Sequence, residues 1–334
     1  MKRSYVWSIV LLLASVVIMS ACGQEDNSPQ NKEEEEQFAP FTGEKIEEEN
    51  KQRAVAVMMD NQEKARPQSG LSEADVVFEL LSEGDITRFM ALYQNEDPEV
   101  VGPVRSAREY FFDLADGYDA LYVFSGAANE VFDELKKRDM DYLEAETTEE
   151  SDQLFVREGL RKAPHNLYLQ FPALFDIDSI QSKVPETSYE SLPFVQEDES
   201  LTETKEMEDA TLVEVDLFDD APSIEFEYDQ ANKMYLRNEN EETTIELESE
   251  KPIEMKNILI AETKHSKLDE EGRREIDIEA GGDATLLQEG EARAVSWENR
   301  DGKIIPVYEG EELPFLPGKT WIMFVPEDTA IDMQ

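Results

Sequence analysis

The chain has 334 residues, 31 Lys+Arg against 78 Asp+Glu, a formal net charge of -47 and one cysteine. Its 40 % hydrophobic content suffices for a folded body, and its length fits two domains of ~100–200 residues. One cysteine excludes an intrachain disulfide and a Cys-based zinc site. The two histidines argue against a His-rich metal centre, and the charge excludes general electrostatic binding to nucleic acid or anionic lipid headgroups.

Lys2 and Arg3 precede an uncharged apolar run, residues 7–19. The run is shorter than the ~20 residues a membrane span needs and has the form of a signal peptide. Met19-Ser20-Ala21-Cys22 resembles a bacterial lipobox. That resemblance implies cleavage after residue 21 and lipid attachment to Cys22. Residues 22–50 are polar and acidic, and like charges repel, so the segment reads as a disordered tether. Phe38 and Phe41 are the tether positions able to dock on the body.

Residues 51–182 mix strand and helix patterns. The apolar run 54–59 predicts a buried strand, and 75–80 and 86–93 predict two more around the turn Glu83-Gly84-Asp85. Residues 106–116 read as a helix, 121–124 as a buried strand, 129–138 as a helix with Val131, Phe132 and Leu135 inward, and 152–162 as a third helix stopped before Pro164. Acidic, apolar-poor residues 183–210 read as a linker. Residues 211–334 alternate as successive strands, which predicts a sandwich or barrel. The expected fold is α+β: an N-terminal α/β domain with a mixed sheet and helices, then a smaller, mainly-β C-terminal domain.

Chemistry concentrates in a few segments. Ser106 and Glu109 have capping-box spacing, which competes with a nucleophilic role for Ser106. Arg105 and Arg108 flank the same helix start, where the partial positive charge disfavours cations. Either internal carboxylates or an anionic ligand must offset that cost. Pro67 extends Arg66 in a turn-rich loop just past the first strand, so Arg66 and Gln68 are candidate anion or sugar contacts, against the alternative of a solvated connection. Ser125-Gly126-Ala127-Ala128 offers backbone amides at a strand-to-helix turn. His165 is the first domain's candidate for proton transfer, or a helix C-cap, and Glu79 and Glu83 are a possible carboxylate pair. In the second domain, Gly272-Arg273-Arg274 stands out, and Pro317-Gly318-Lys319 reads as a turn into a strand.

Four motifs of the first domain act together: Ala65-Arg66-Pro67-Gln68-Ser69-Gly70-Leu71, Ile86-Thr87-Arg88-Phe89, Gly102-Pro103-Val104-Arg105-Ser106-Ala107-Arg108 and Ala163-Pro164-His165-Asn166-Leu167-Tyr168. With Gly272-Arg273-Arg274, Trp297 and 317–322, they resemble the YerB-type lipoproteins of Gram-positive bacteria. That resemblance implies two domains of unknown function and carries no activity, cofactor or metal with it. The expectation is an envelope protein anchored through Cys22 on the outer face of the cytoplasmic membrane. It would bind an anionic wall polymer or an envelope protein, and no nucleic acid. Arg66, Gln68, Arg88, Arg105, Ser106, Arg108 and Asn166 are its candidate ligand contacts. A wall-directed hydrolase or lyase using His165 or Glu79/Glu83, and a scaffold for wall-synthesis enzymes, are the alternatives.

Overall fold

The segments Val55–Asp60, Val76–Leu81 and Thr87–Tyr93 are buried along their whole length, as central strands covered on both faces must be. They lie in the middle of a 12-stranded sheet in a computed structural model that describes residues 36–196, 207–217, 223–270 and 272–334. The expected signal peptide, Cys22 and the first part of the tether lie outside the described residues. Gln37–Gln334 forms one compact unit.

From one edge the sheet runs Glu311–Glu312, Lys303–Tyr308, Glu291–Arg300, Gly282–Gln288, Asn257–Thr263, Thr320–Pro326, Val76–Leu81, Thr87–Tyr93, Val55–Asp60, Leu121–Phe124 and Tyr142–Glu144. Met207–Asp209 adds to it beside Glu291–Arg300. The seam between the two halves of the chain is the strand Thr320–Pro326. It runs parallel to Asn257–Thr263 on one side and to Val76–Leu81 on the other, with Trp321 opposite Val77 and Ile322 opposite Phe78.

The fold is thus mixed α/β with a mainly-β C-terminal region, but the sheet is continuous across both halves. The C-terminal region does not close a sandwich or barrel by itself. Several of its strands extend the shared sheet. Others, with the strand Met234–Glu239 among them, form a separate six-stranded sheet. At one point the halves meet backbone to backbone. A Cβ on either Gly117 or Gly302 would collide with the other's main chain, so only glycine permits the approach.

Three expected segments differ. The tether ends earlier than residue 50: Gln37–Phe38 pairs with Lys45–Ile46, and Phe41 is buried against Tyr118 and Tyr189, while Phe38 stays exposed. The linker 183–210 is largely docked where it is described. The Tyr189 hydroxyl accepts from the Ala54 amide at 2.8 Å, Leu192 is buried, and Phe194 meets Phe315. Acidic composition hid these few aromatic anchors; residues 197–206 lie outside the described residues.

The predicted helix 152–162 is a single turn, Ser151–Leu154, followed by the strand Phe155–Arg157. Long-range pairing with Leu167–Gln170 overrides the local helical pattern. The helices Glu109–Gly117 and Asn129–Lys137 do form, the latter burying Val131 and Leu135.

Candidate functional site

The strand Val55–Asp60 is apolar until its last residue. Asp60 is therefore a buried carboxylate at the carboxyl end of its strand, beside the carboxyl end of the parallel strand Leu121–Phe124. Ligand sites of α/β sheets gather at such ends. Asp60 Oδ2 lies 2.7 Å from His165 Nδ1 and 3.2 Å from Arg105 Nε. Its Oδ1 accepts from the Gln62 amide at 3.1 Å. The adjacent strand places Arg88 opposite Asp60.

Arg88 donates from Nη1 to the Ser106 carbonyl at 2.8 Å and from Nη2 to Glu83 Oε2 at 3.0 Å. The other oxygen of Glu83 pairs with Arg108. Arg88, Arg105, Arg108 and His165 are thus drawn around Asp60 and Glu83. Burial pulls the pKa of all three guanidinium groups down, and the Asp60 charge opposes it at Arg88 and Arg105. The Nε groups of Arg105 and Arg108 are buried without a hydrogen-bond partner; Arg105 Nε is near Asp60 but off the hydrogen-bonding direction.

The expected capping box does not form. Arg108 is the extended N-cap residue of the helix Glu109–Gly117, with no side-chain cap. The reason is the arginines: Arg88 takes the Ser106 carbonyl, and residues 105–107 pair with the 125–126 turn instead of winding into helix. Nor is that turn an open amide cradle. Its Ser125 amide donates to the Arg105 carbonyl at 2.9 Å and its Gly126 amide to Glu144 at 3.0 Å.

The other candidates lie elsewhere. Asn166 exchanges hydrogen bonds with Arg157 and Glu158 on its own hairpin. Gln68 is buried and supports the site from behind, donating to the Asp60 carbonyl at 2.9 Å. Arg66 turns toward the C-terminal region, where it pairs with Glu239.

Glu79 and Glu83 are not a pair. Glu79 is enclosed: it accepts from Arg237 at 2.6 and 2.9 Å, from Thr87 at 2.7 Å and from Trp321 Nε1 at 3.0 Å. Arg237 also donates to Glu239 at 2.9 Å. Burial opposes the Arg237 charge, yet the two carboxylates hold its pKa above the usual arginine value. A carboxylate with four donors on it has no lone pair left for acid–base work. Sequence reasoning missed Asp60, Arg237 and Glu239. A lone acid closing an apolar strand was the available signal for the first; for the other two there was none.

A cleft of about 660 Å³ opens on the Arg108 side of the cluster, between Tyr110 and Val131 of the N-terminal region and Arg273 and Arg274 of the C-terminal region, with acidic residues, Asp113, Glu130 and Asp277 among them, also in its lining.

The profile described as "Protein of unknown function (DUF3048) N-terminal domain" matches residues 41–189, and that of the DUF3048 C-terminal domain matches residues 213–322. The chain is 38 % identical over 329 residues to the Bacillus subtilis (strain 168) protein named "Putative lipoprotein YerB", covering 96 % of each. It is similar to the crystal structure of YerB protein from Bacillus subtilis with a TM-score of 0.79 and 39 % identity, over 89 % of this chain and 100 % of that one. With both domains matched and the likeness running nearly end to end, the chain belongs to the YerB-type lipoprotein family.

Proposed function

We propose that this protein is a lipid-anchored, extracytoplasmic binding protein of the cell envelope, which takes an anionic ligand at Arg88, Arg105 and Arg108. The lipobox at Cys22 and the family name support the anchor on the outer face of a Gram-positive cytoplasmic membrane. The observation that carries the binding reading is the buried Nε of Arg108, which has no hydrogen-bond partner, with that of Arg105, which meets Asp60 as an ion pair but makes no hydrogen bond. An unsatisfied buried donor costs about 1–3 kcal/mol, and an anion that accepts from both removes that cost. The ligand class is an anionic wall glycan or teichoic-acid fragment, met directly by a surface-tethered body.

The test is a thermal-shift titration with wall-derived anions, run beside an Arg105→Ala/Arg108→Ala variant. Ligand at ~100 times its Kd stabilises the fold by ~2.7 kcal/mol. A shift in the parent alone supports the site; the absence of a shift in both overturns it.

One observation favours a second reading, acid–base chemistry. Asp60 holds His165 Nδ1 at 2.7 Å, and Nε2 has no protein partner among the described residues. A carboxylate that fixes one ring nitrogen leaves the other oriented for proton transfer. Turnover of a wall substrate, lost in His165→Ala with affinity retained, would establish it.

A further inference from the structure

Glu83 is the carboxylate that already sits on two of the three arginines. It lies on the tight turn between Val76–Leu81 and Thr87–Tyr93, where the Ser82 amide donates to the Ile86 carbonyl at 2.8 Å. Its Oε2 accepts from Arg88 Nη2 at 3.0 Å and from Ser82 Oγ at 2.7 Å, and its Oε1 meets Arg108. One planar carboxylate thus bridges two guanidinium groups from different elements, one oxygen to each. Its side chain is 34 % exposed, whereas Glu79 and Glu239 of the seam are 0 % and 5 % exposed. Glu83 is open enough to water to leave, but Arg88 is only 4 % exposed, so the carboxylate leaves at small cost only when another anion takes its place.

The arginines do not depend on it for their positions. Arg88 Nη1 remains on the Ser106 carbonyl and Arg108 Nη1 on the Ala107 carbonyl. The backbone of the turn is held from the C-terminal region. Arg274 donates to the Gly84 carbonyl at 3.2 and 2.6 Å, and the Gly84 amide donates to the Gly272 carbonyl at 3.3 Å. The main chain is clamped independently of what the Glu83 side chain contacts.

We infer that Glu83 occupies the seat of a carboxylate ligand, and that the ligand binds by displacing it. This rests on the anion-site reading above and narrows its ligand class to a carboxylate-bearing envelope polymer. Two observations select a carboxylate. The seat is filled now by that group, with one oxygen to each arginine and a hydroxyl as the third donor. The fixed charge of Asp60 also acts on Arg88, so the seat favours one added negative charge over two. The cleft beside Arg108, whose lining carries more carboxylates than cations, takes an uncharged remainder of the ligand.

The experiment is calorimetric titration of the full-length protein in detergent with D-glucuronate, and separately with glycerol phosphate. The parent is compared with Glu83→Gln, Glu83→Ser and Arg108→Ala, each checked for an unchanged melting transition. The expected result is glucuronate affinity raised about fivefold or more in both Glu83 variants, the worth of one partly exposed ion pair, and lost in Arg108→Ala. Equal glucuronate affinity in parent and Glu83 variants would overturn the displacement while leaving an anion site in place. A gain for glycerol phosphate and not for glucuronate would overturn the carboxylate assignment. No binding of either probe, even with Glu83 replaced, would overturn this inference and the anion-site reading together.

Discussion

Two arginine–carboxylate networks sit on neighbouring strands of the sheet and do different things. At the seam, Arg237, Glu79 and Glu239 are buried, and Glu79 accepts from Arg237, Thr87 and Trp321. Around Asp60 and Glu83, Arg88 is buried, Arg105 and Arg108 are partly open to solvent, and the Nε groups of these two have no hydrogen-bond partner. The chemistry is shared; the difference is completeness. A saturated network ties two halves of a chain into one register, whereas an unsaturated one keeps capacity for something else.

Breaking the seam should have the largest effect. Arg237→Ala strands Glu79 without its cation in the core and should cost about 3–5 kcal/mol in urea unfolding. A loss under ~1 kcal/mol would remove the contrast between the networks, since surface pairs cost that much.

The next effect is a pH dependence at the same seam. The Asp75 carbonyl accepts from the Thr320 amide, and its carboxyl is enclosed, with Oδ1 unpartnered. Burial raises its pKa from 3.8 to about 7. The folded chain therefore keeps a proton that the unfolded chain has lost. Its contribution is full below about pH 4 and is lost as pH rises to about 7, on the order of 4 kcal/mol in all. Asp75→Asn should flatten that slope and leave the variant more stable than the parent at pH 8; parallel stability–pH curves would refute the assignment.

A smaller effect is expected at the open network. Arg105→Ala should cost about 1–3 kcal/mol, less than the seam, because the buried Asp60 loses one cation but keeps His165 and the Gln62 amide as partners. Its anion-induced shift should disappear. The smallest effect is Glu83→Gln, under about 1 kcal/mol in stability without ligand, because the amide oxygen can still accept from a guanidinium group. A large loss there would place Glu83 with the seam residues.

Much of the strand order was legible because its signal is local. Residues 54–59 and 121–124 are apolar runs bounded by turns, and they pair in parallel as buried strands should. The helix 129–138 was legible from the spacing of Val131 and Leu135. The segment 152–162 was misread because its strand depends on a partner beyond Pro164. The arginine cluster was half legible. Arg105 and Arg108 opposed a helix dipole, and that conflict pointed to the site. Arg66 gave a similar local impression, yet its partner is Glu239, 173 residues away. Sequence spacing cannot distinguish an arginine with a distant carboxylate from one without.

The sequence by itself determined the family, the positions of most strands, and the segment where cations gather against an unfavourable field. These follow from composition, periodicity and local electrostatics. Only the tertiary structure decided that the two halves share one sheet, that Glu79 is a structural anion, and that Glu83 sits on the arginines. Strand pairing and ion pairing join residues far apart in the chain. Their energies depend on burial, and burial exists only once the chain has folded.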